Sequence, residues 1–151
     1  MFRSQHGLVM RYRISIIAFA SLLAACQPND GAPDPETQKA LDAIGVTDTV
    51  HFTGTEPFWG GQAKAGKLTY QTTENQEGAT IAVKRFNGLG GFSYSGTLNG
   101  SAFDMMVTSG KCSDGMSDRT YPLIATLKFA GETRQGCAWT DKIQFEEPIH
   151  P

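Results

Sequence analysis

The densest chemistry in this chain lies in Lys111-Cys112-Ser113-Asp114-Gly115-Met116-Ser117-Asp118-Arg119-Thr120-Tyr121-Pro122. Two carboxylates, a guanidinium, a thioether and a phenol are more than a plain connector needs. Asp114-Gly115 and Ser117-Asp118 are turn formers whose side chains can satisfy backbone N–H groups, and Arg119 is within reach of a local pair with Asp114 or Asp118. The functional reading is a recognition loop carried by a rigid scaffold; the plain reading is a well-satisfied turn. A second unusual segment is Gly54-Thr55-Glu56-Pro57-Phe58-Trp59-Gly60. Pro57 biases Glu56 towards an extended conformation, and Phe58 and Trp59 point to opposite faces of a regular strand. One of the two rings must face outward or line a cavity. The candidate binding residues are therefore Glu56, Trp59, Asp114, Asp118, Arg119 and Tyr121. The plain alternative makes Trp59 a plug at one end of the fold and Glu56 an acceptor of local backbone hydrogen bonds.

Reaction chemistry is poorly supplied. The body of the chain has one histidine, His51, inside an expected strand, while His150 lies in the tail. There is no Gly-x-Ser-x-Gly elbow, and no cysteine–histidine pairing once the cysteines are bonded. Glu56, Asp114 and Asp118 could supply a carboxylate pair, but nothing in their spacing brings two of them to the separation that glycoside hydrolysis requires. Asp114-x-x-x-Asp118 lacks the ligand count of a calcium loop. Cys112, Met116 and Met106 would suit copper(I) only with free thiolates. The chain reads as non-enzymatic, with no catalytic residue, cofactor or metal ligand assigned.

A different chemistry marks the other end of the sequence. Arg11 and Arg13 precede an apolar run from Ile14 to Leu23, which closes on Ala24-Ala25-Cys26. This is the pattern of a bacterial lipoprotein signal, cut before the cysteine, which then carries lipid. The run of about ten residues is too short for the ~20 that a membrane-crossing helix needs. Residues 1–25 are thus an address, excluded from the fold, with Met1 or Met10 as the start. Gln27, in place of Asp, matches the outer-membrane sorting class, facing the periplasm. With Cys26 acylated, Cys112 and Cys137 remain as one pair in an oxidising compartment, where a disulfide is the expected outcome.

Removing residues 1–25 takes away three arginines and no acid, leaving ten basic and fifteen acidic groups and a formal charge of −5. An acidic body suits phosphate backbones badly, so nucleic acid is excluded as an expected partner. The remaining 126 residues are enough for one domain.

These residues must be positioned by a β-rich scaffold. Residues 26–33 read as a lipidated tether, 34–147 as a single β domain with a short leading helix, and 148–151 as a tail. Asp34-Pro35-Glu36 is a helix start, with Ala40, Leu41 and Ile44 on one face and Gly45 as a stop. From Val50 the pattern has period two. Strands are expected at Val50–Thr53, from Phe58, and over 67–72, 80–86, 91–98, 101–108, 123–129 and 134–140. Asn99-Gly100 is the strongest hairpin signal. The fold class is all-β: a small antiparallel barrel or sandwich of seven or eight strands with one N-terminal helix.

Gly-Thr-Glu-Pro-Phe-Trp at 54–59, Cys-Ser-Asp-Gly-Met-Ser-Asp-Arg-x-Tyr-Pro at 112–122 and Gly136-Cys137-Ala138 together resemble a group of small proteobacterial envelope lipoproteins of uncharacterised function. The resemblance covers about residues 50–140 and implies envelope location and a β fold. A fainter architectural likeness is to membrane-bound inhibitors of C-type lysozyme, through the anchor, the small barrel, one disulfide and Ser93-Tyr94-Ser95-Gly96. The Ser-Gly-x-x-Tyr order of those inhibitors is not reproduced. Anchor, scaffold and dense loop point to a binding module for a protein or cell-wall component, with a small-ligand or metal carrier, or a lysozyme inhibitor, as the alternatives.

Overall fold

A computed structural model describes residues 35–148. The expected signal segment, Cys26, the tether, Asp34 and His150 lie outside the described residues. One helix, α1 (Pro35–Asp42), precedes eight strands: β1 (Val50–Gly54), β2 (Trp59–Lys64), β3 (Lys67–Thr72), β4 (Ala79–Gly88), β5 (Gly91–Leu98), β6 (Ser101–Cys112), β7 (Tyr121–Phe129) and β8 (Glu132–Thr140). Each strand pairs antiparallel with the next, and β8 closes on β1 through Val50↔Thr140 to Thr53↔Cys137. The result is a closed up-and-down barrel, which leaves no unpaired edge to recruit another chain.

Alternation explains the interior. Phe103, Met105 and Val107 of β6 face Phe129, Leu127 and Ala125 of β7, and every one of these except Phe129 is fully buried. Val50, Phe52, Leu68, Ile81, Phe92 and Tyr94 supply the same face from other strands. An eight-stranded barrel is just wide enough to be filled by side chains, and here Phe52, Trp59, Phe103, Leu68, Met105 and Leu127 fill it. The Asn99-Gly100 hairpin forms with both residues at positive φ, 51° and 80°. Ala65-Gly66 and Ala130-Gly131 take the same geometry, matching the right-handed twist of the strands they join.

One end of the barrel is shut by α1 and the residues just after it, with Leu41 of the helix and Ile44 beyond it buried in the common core. Arg85 of β4 holds the end of this segment: Nη1 donates to Gly45 O and Nη2 to Ile44 O, both at 2.8 Å. The same guanidinium lies 3.9 Å from the centroid of the Phe92 ring. It thereby ties the segment after α1 to β4, beside the bond that Gly45 O accepts from Asp48 N at 3.2 Å.

Two expectations are corrected by the paired strands. β6 does not stop at Thr108 but runs on to Cys112, and β7 begins at Tyr121 rather than Leu123. The long loop expected between them shrinks to residues 113–120. The reason is a bulge: Ser109 pairs with Leu123, but the next pair is Cys112 with Tyr121, so one extra residue is taken up in β6. Gly110 sits in this bulge with φ 155°, and a Cβ there would come 2.6 Å from Ile124 Cδ1. A bulge of this kind bends its strand and re-aims the residues beyond it.

Candidate functional site

The bend in β6 delivers Cys112 to Cys137 of β8, a strand with which β6 shares no ladder. The two are joined by the expected disulfide, with Cα atoms 5.5 Å apart. Cys137 pairs with Ile124 and so belongs to the outward row of β8, between the inward Gly136 and Ala138. The bridge therefore passes over β7 on the outside of the barrel and pins residues 113–120 against its wall.

Within this loop Asp114 is the organising group. Its Oδ1 accepts from the backbone N–H of Met116 at 3.0 Å and of Ser117 at 2.8 Å. Its Oδ2 accepts from the Ser117 hydroxyl at 2.8 Å and from the Tyr121 hydroxyl at 3.0 Å. Partial burial pushes the carboxyl up, but the hydrogen bonds from Ser117, Met116 and Tyr121 outweigh it and hold Asp114 at about 2. A carboxylate so engaged is a permanent anion that shapes the loop, and its chemistry is spent on structure.

Tyr121 is 3% exposed. Its ring packs against Trp139 and Phe145, centroids 5.3 and 5.4 Å away, in an aromatic cluster separate from the main core. The segment after β8 is folded back to complete this cluster. Thr120 and Glu146 exchange two backbone hydrogen bonds, at 3.0 and 2.8 Å. Arg119 lies 4.5 Å from the centroid of Phe145 and pairs with Glu147 at 2.9 Å. The expected local pairing of Arg119 with Asp114 or Asp118 is thus corrected. Asp114 is saturated by its own loop, and the returning C-terminal segment offers both a ring and a carboxylate. Asp118 is exposed.

The β1–β2 turn closes against this loop. Thr55 Oγ1 donates to Asp114 O at 3.2 Å, across 59 residues of sequence. Thr55, Glu56 and Phe58 on one side, and Ser113, Asp114, Gly115 and Met116 on the other, line an open groove. The two segments singled out by their chemistry therefore meet. Phe58 is 45% exposed and Met116 83%, and Glu56 is exposed beside them. Glu56 has φ 63° and is followed by a cis peptide to Pro57, so the extended conformation expected before proline is corrected. A four-residue reversal between the paired Gly54 and Trp59 has no room for it.

Trp59 turns inward and is 1% exposed. Its indole lies over two bare backbones: a Cβ on Gly54 would come 2.2 Å from its Nε1, and one on Gly136 would come 2.9 Å from its Cζ2. Trp59 and Tyr121 are accordingly not part of the accessible surface. They fix the two walls of the groove from behind, since burial removes them from any partner. The outward ring left open by the alternation argument is Phe58. Met116 and Phe58 are the accessible groups that the candidate residues lacked, and only the solvent-facing position of the loop distinguishes them.

The disulfide also decides the thiolate question, because Cys112 has no thiolate to offer Met106 and Met116. His51, outward on β1, stacks on Trp139 at 5.2 Å and lies 3.2 Å from Asp141 Oδ1. The hydrogen bond from His51, with a further one from Thr49, lowers the Asp141 carboxyl below its ordinary value. This pair ties the residues after β8 to β1. Compared with protein-family models, with curated proteins and with solved structures, the chain matches none.

Proposed function

We propose that this protein is a lipid-anchored, non-enzymatic binding module on the periplasmic face of the outer membrane. Its partner is a protein or cell-wall component, contacted through the surface made by residues 55–58 and 113–119. The observation that carries the reading is the junction of the two segments at Thr55 and Asp114. A disulfide, a saturated carboxylate and a buried phenol hold the loop in shape. Yet the groups this framework presents, Glu56, Phe58, Met116, Asp118 and Arg119, are exposed. Rigid presentation of an exposed thioether, ring and charges reduces the entropy lost on binding, and Met and Arg are favoured residues at interface cores.

The anchor rests on the sequence around Cys26, and the disulfide fits the oxidising compartment that such an anchor entails. The test uses the full acylated chain. Glu56→Ala with Met116→Ala should leave the unfolding free energy within ~0.5 kcal/mol of the parent and remove partner recovery from solubilised envelopes or sedimentation with isolated cell wall. An unchanged profile in both assays overturns the assignment of this surface.

A further inference from the structure

We infer that the outward face of β1–β3 holds a second binding site, for an uncharged glycan segment that bears acetamido groups. The inference goes beyond the reading above, because the residues lining this site belong to neither the 55–58 nor the 113–119 segment. Strand register builds it. His51 of β1 pairs with Gln62 of β2, and Gln62 with Thr69 of β3, so three polar side chains stand in one outward row. Thr53, Gly60 and Gln71 form the next outward row. His51, Gly61, Gln62, Thr69 and Gln71 line an open depression of about 250 Å³. Sites that enclose drug-sized ligands run from ~300 to ~1,000 Å³, so this one suits a single small ring with its substituents.

Three features select the ligand. The first is unspent hydrogen-bonding capacity held in place. The side chains of Gln62 and Thr69 have no hydrogen-bond partner among the described residues. Gln71 donates from Nε2 to Gln76 O at 2.8 Å, which orients its carboxamide and leaves Oε1 as an acceptor. His51 Nε2 lies 3.2 Å from Asp141 Oδ1. A carboxylate only accepts, so the neutral imidazole carries its proton on Nε2 and keeps Nδ1 as an acceptor. Stacking on Trp139, with 17° between the ring planes, holds that imidazole still. The second is charge. The lining consists of carboxamides, a hydroxyl and a neutral imidazole. Lys64 and Lys67 flank it one outward position further on, and Glu77 lies on the other side, before Gly78, whose missing Cβ would come 2.7 Å from Thr69 Cγ2. A neutral lining bordered by both signs selects neither an anion nor a cation. A carboxamide offers a donor and an acceptor together, and so matches the N–H and C=O of an acetamido group bond for bond. The third is an apolar wall. Gly60 carries no side chain, so the depression runs on to Phe58, whose Cζ lies 3.6 Å from the place of a Cβ on Gly60. The Phe58 ring is 45% exposed. A sugar packs its apolar C–H face on such a ring while its hydroxyls and amide turn to the polar groups.

The test titrates the N-acetylglucosamine tetramer into the full acylated chain in detergent micelles, following amide shifts by NMR and heat by calorimetry. Two comparison ligands are the glucose tetramer, with hydroxyls in place of the acetamido groups, and the glucosamine tetramer, with ammonium groups. The expected result is saturable shifts centred on residues 51, 60–62 and 69–71. Affinity for the acetylated tetramer should exceed that for the other two at least roughly fivefold, the worth of one or two hydrogen bonds. Gln62→Ala, at an exposed position, should keep the urea midpoint and weaken binding roughly fivefold. Thr126→Ala, on an outward row of β7, should leave binding unchanged. Absence of saturable shifts in the parent overturns the inference, as do shifts centred elsewhere. Equal affinity for the three tetramers, or unchanged binding in Gln62→Ala, also overturns it. None of these readouts involves the envelope partner, so the surface at 55–58 and 113–119 stands or falls separately.

Discussion

Removing the Asp114 carboxylate is the perturbation that bears most directly on how the 113–120 loop is held. In Asp114→Ala four hydrogen bonds vanish together. The two backbone N–H groups are near solvent and recover most of their loss from water. The Tyr121 hydroxyl is the costly one, because its residue is 3% exposed and the Arg119 side chain is the polar group left beside it. A hydrogen bond to a charged acceptor contributes ~1.5–3 kcal/mol. The expected loss is about 2–3 kcal/mol, a shift of roughly 2 M in the urea midpoint for a domain of this size. Fluorescence of Trp59 and Trp139 follows the transition. Tyr121→Phe alone should cost about 1.5 kcal/mol, and the double variant little more than Asp114→Ala, a coupling of ~1.5 kcal/mol. Losses that add within ~0.3 kcal/mol would show that the Asp114–Tyr121 bond does not brace the loop. The pH dependence carries the same signature. The folded carboxyl is held at about 2, below its ordinary 3.8, so its stabilisation is complete above pH 3.8 and is lost as pH falls through 2. The full shift corresponds to ~2.5 kcal/mol, which solvent screening at this half-exposed site reduces to roughly 1 kcal/mol. Asp114→Asn should lack that component, so the stabilities of parent and variant converge as pH falls towards 2.

Four further outcomes rest on the same geometry. Replacing Cys112 and Cys137 by Ser should lower stability by ~3–4 kcal/mol, from the 25-residue separation of the bridge, and should raise hydrogen exchange across residues 113–120 most of all. Trp59→Ala should cost ~3–5 kcal/mol in denaturant unfolding, as a fully buried ring. Gly54→Ala, whose Cβ would meet that indole at 2.2 Å, should cost at least ~1–3 kcal/mol by forcing the ring to move. Arg85→Ala should cost ~1–3 kcal/mol by removing the guanidinium's bonds to the Ile44 and Gly45 carbonyls, with loss of amide protection in α1 ahead of the barrel.

The strands were legible because their alternation is strict. Phe103-Asp104-Met105-Met106-Val107 puts every second residue in the core, and Asn99-Gly100 specifies its own turn. Closure into a barrel rather than a sandwich was not legible, because it depends on β1 finding β8 across the whole chain. The length of the 113–120 loop was hidden by the bulge at Gly110, where the period breaks while pairing continues. Composition marked both segments of the groove, but their meeting is a property of the bent strand and not of either sequence. The partners of Arg119 were not legible for a related reason. Its partners, Phe145 and Glu147, come from a C-terminal segment whose return over Tyr121 no local pattern announces.

On the proposed reading, the joined surface of residues 55–58 and 113–119 is where this protein meets a partner. A photoreactive side chain at Phe58 or Met116, in the acylated protein within its own envelope, tests this most directly against the same group at Thr126 on an outward row of β7. One discrete cross-linked species is expected, shared by positions 58 and 116, absent at 126, and lost when Cys112 and Cys137 are replaced by Ser. Equal products at all three positions, or none at 58 and 116, would contradict it.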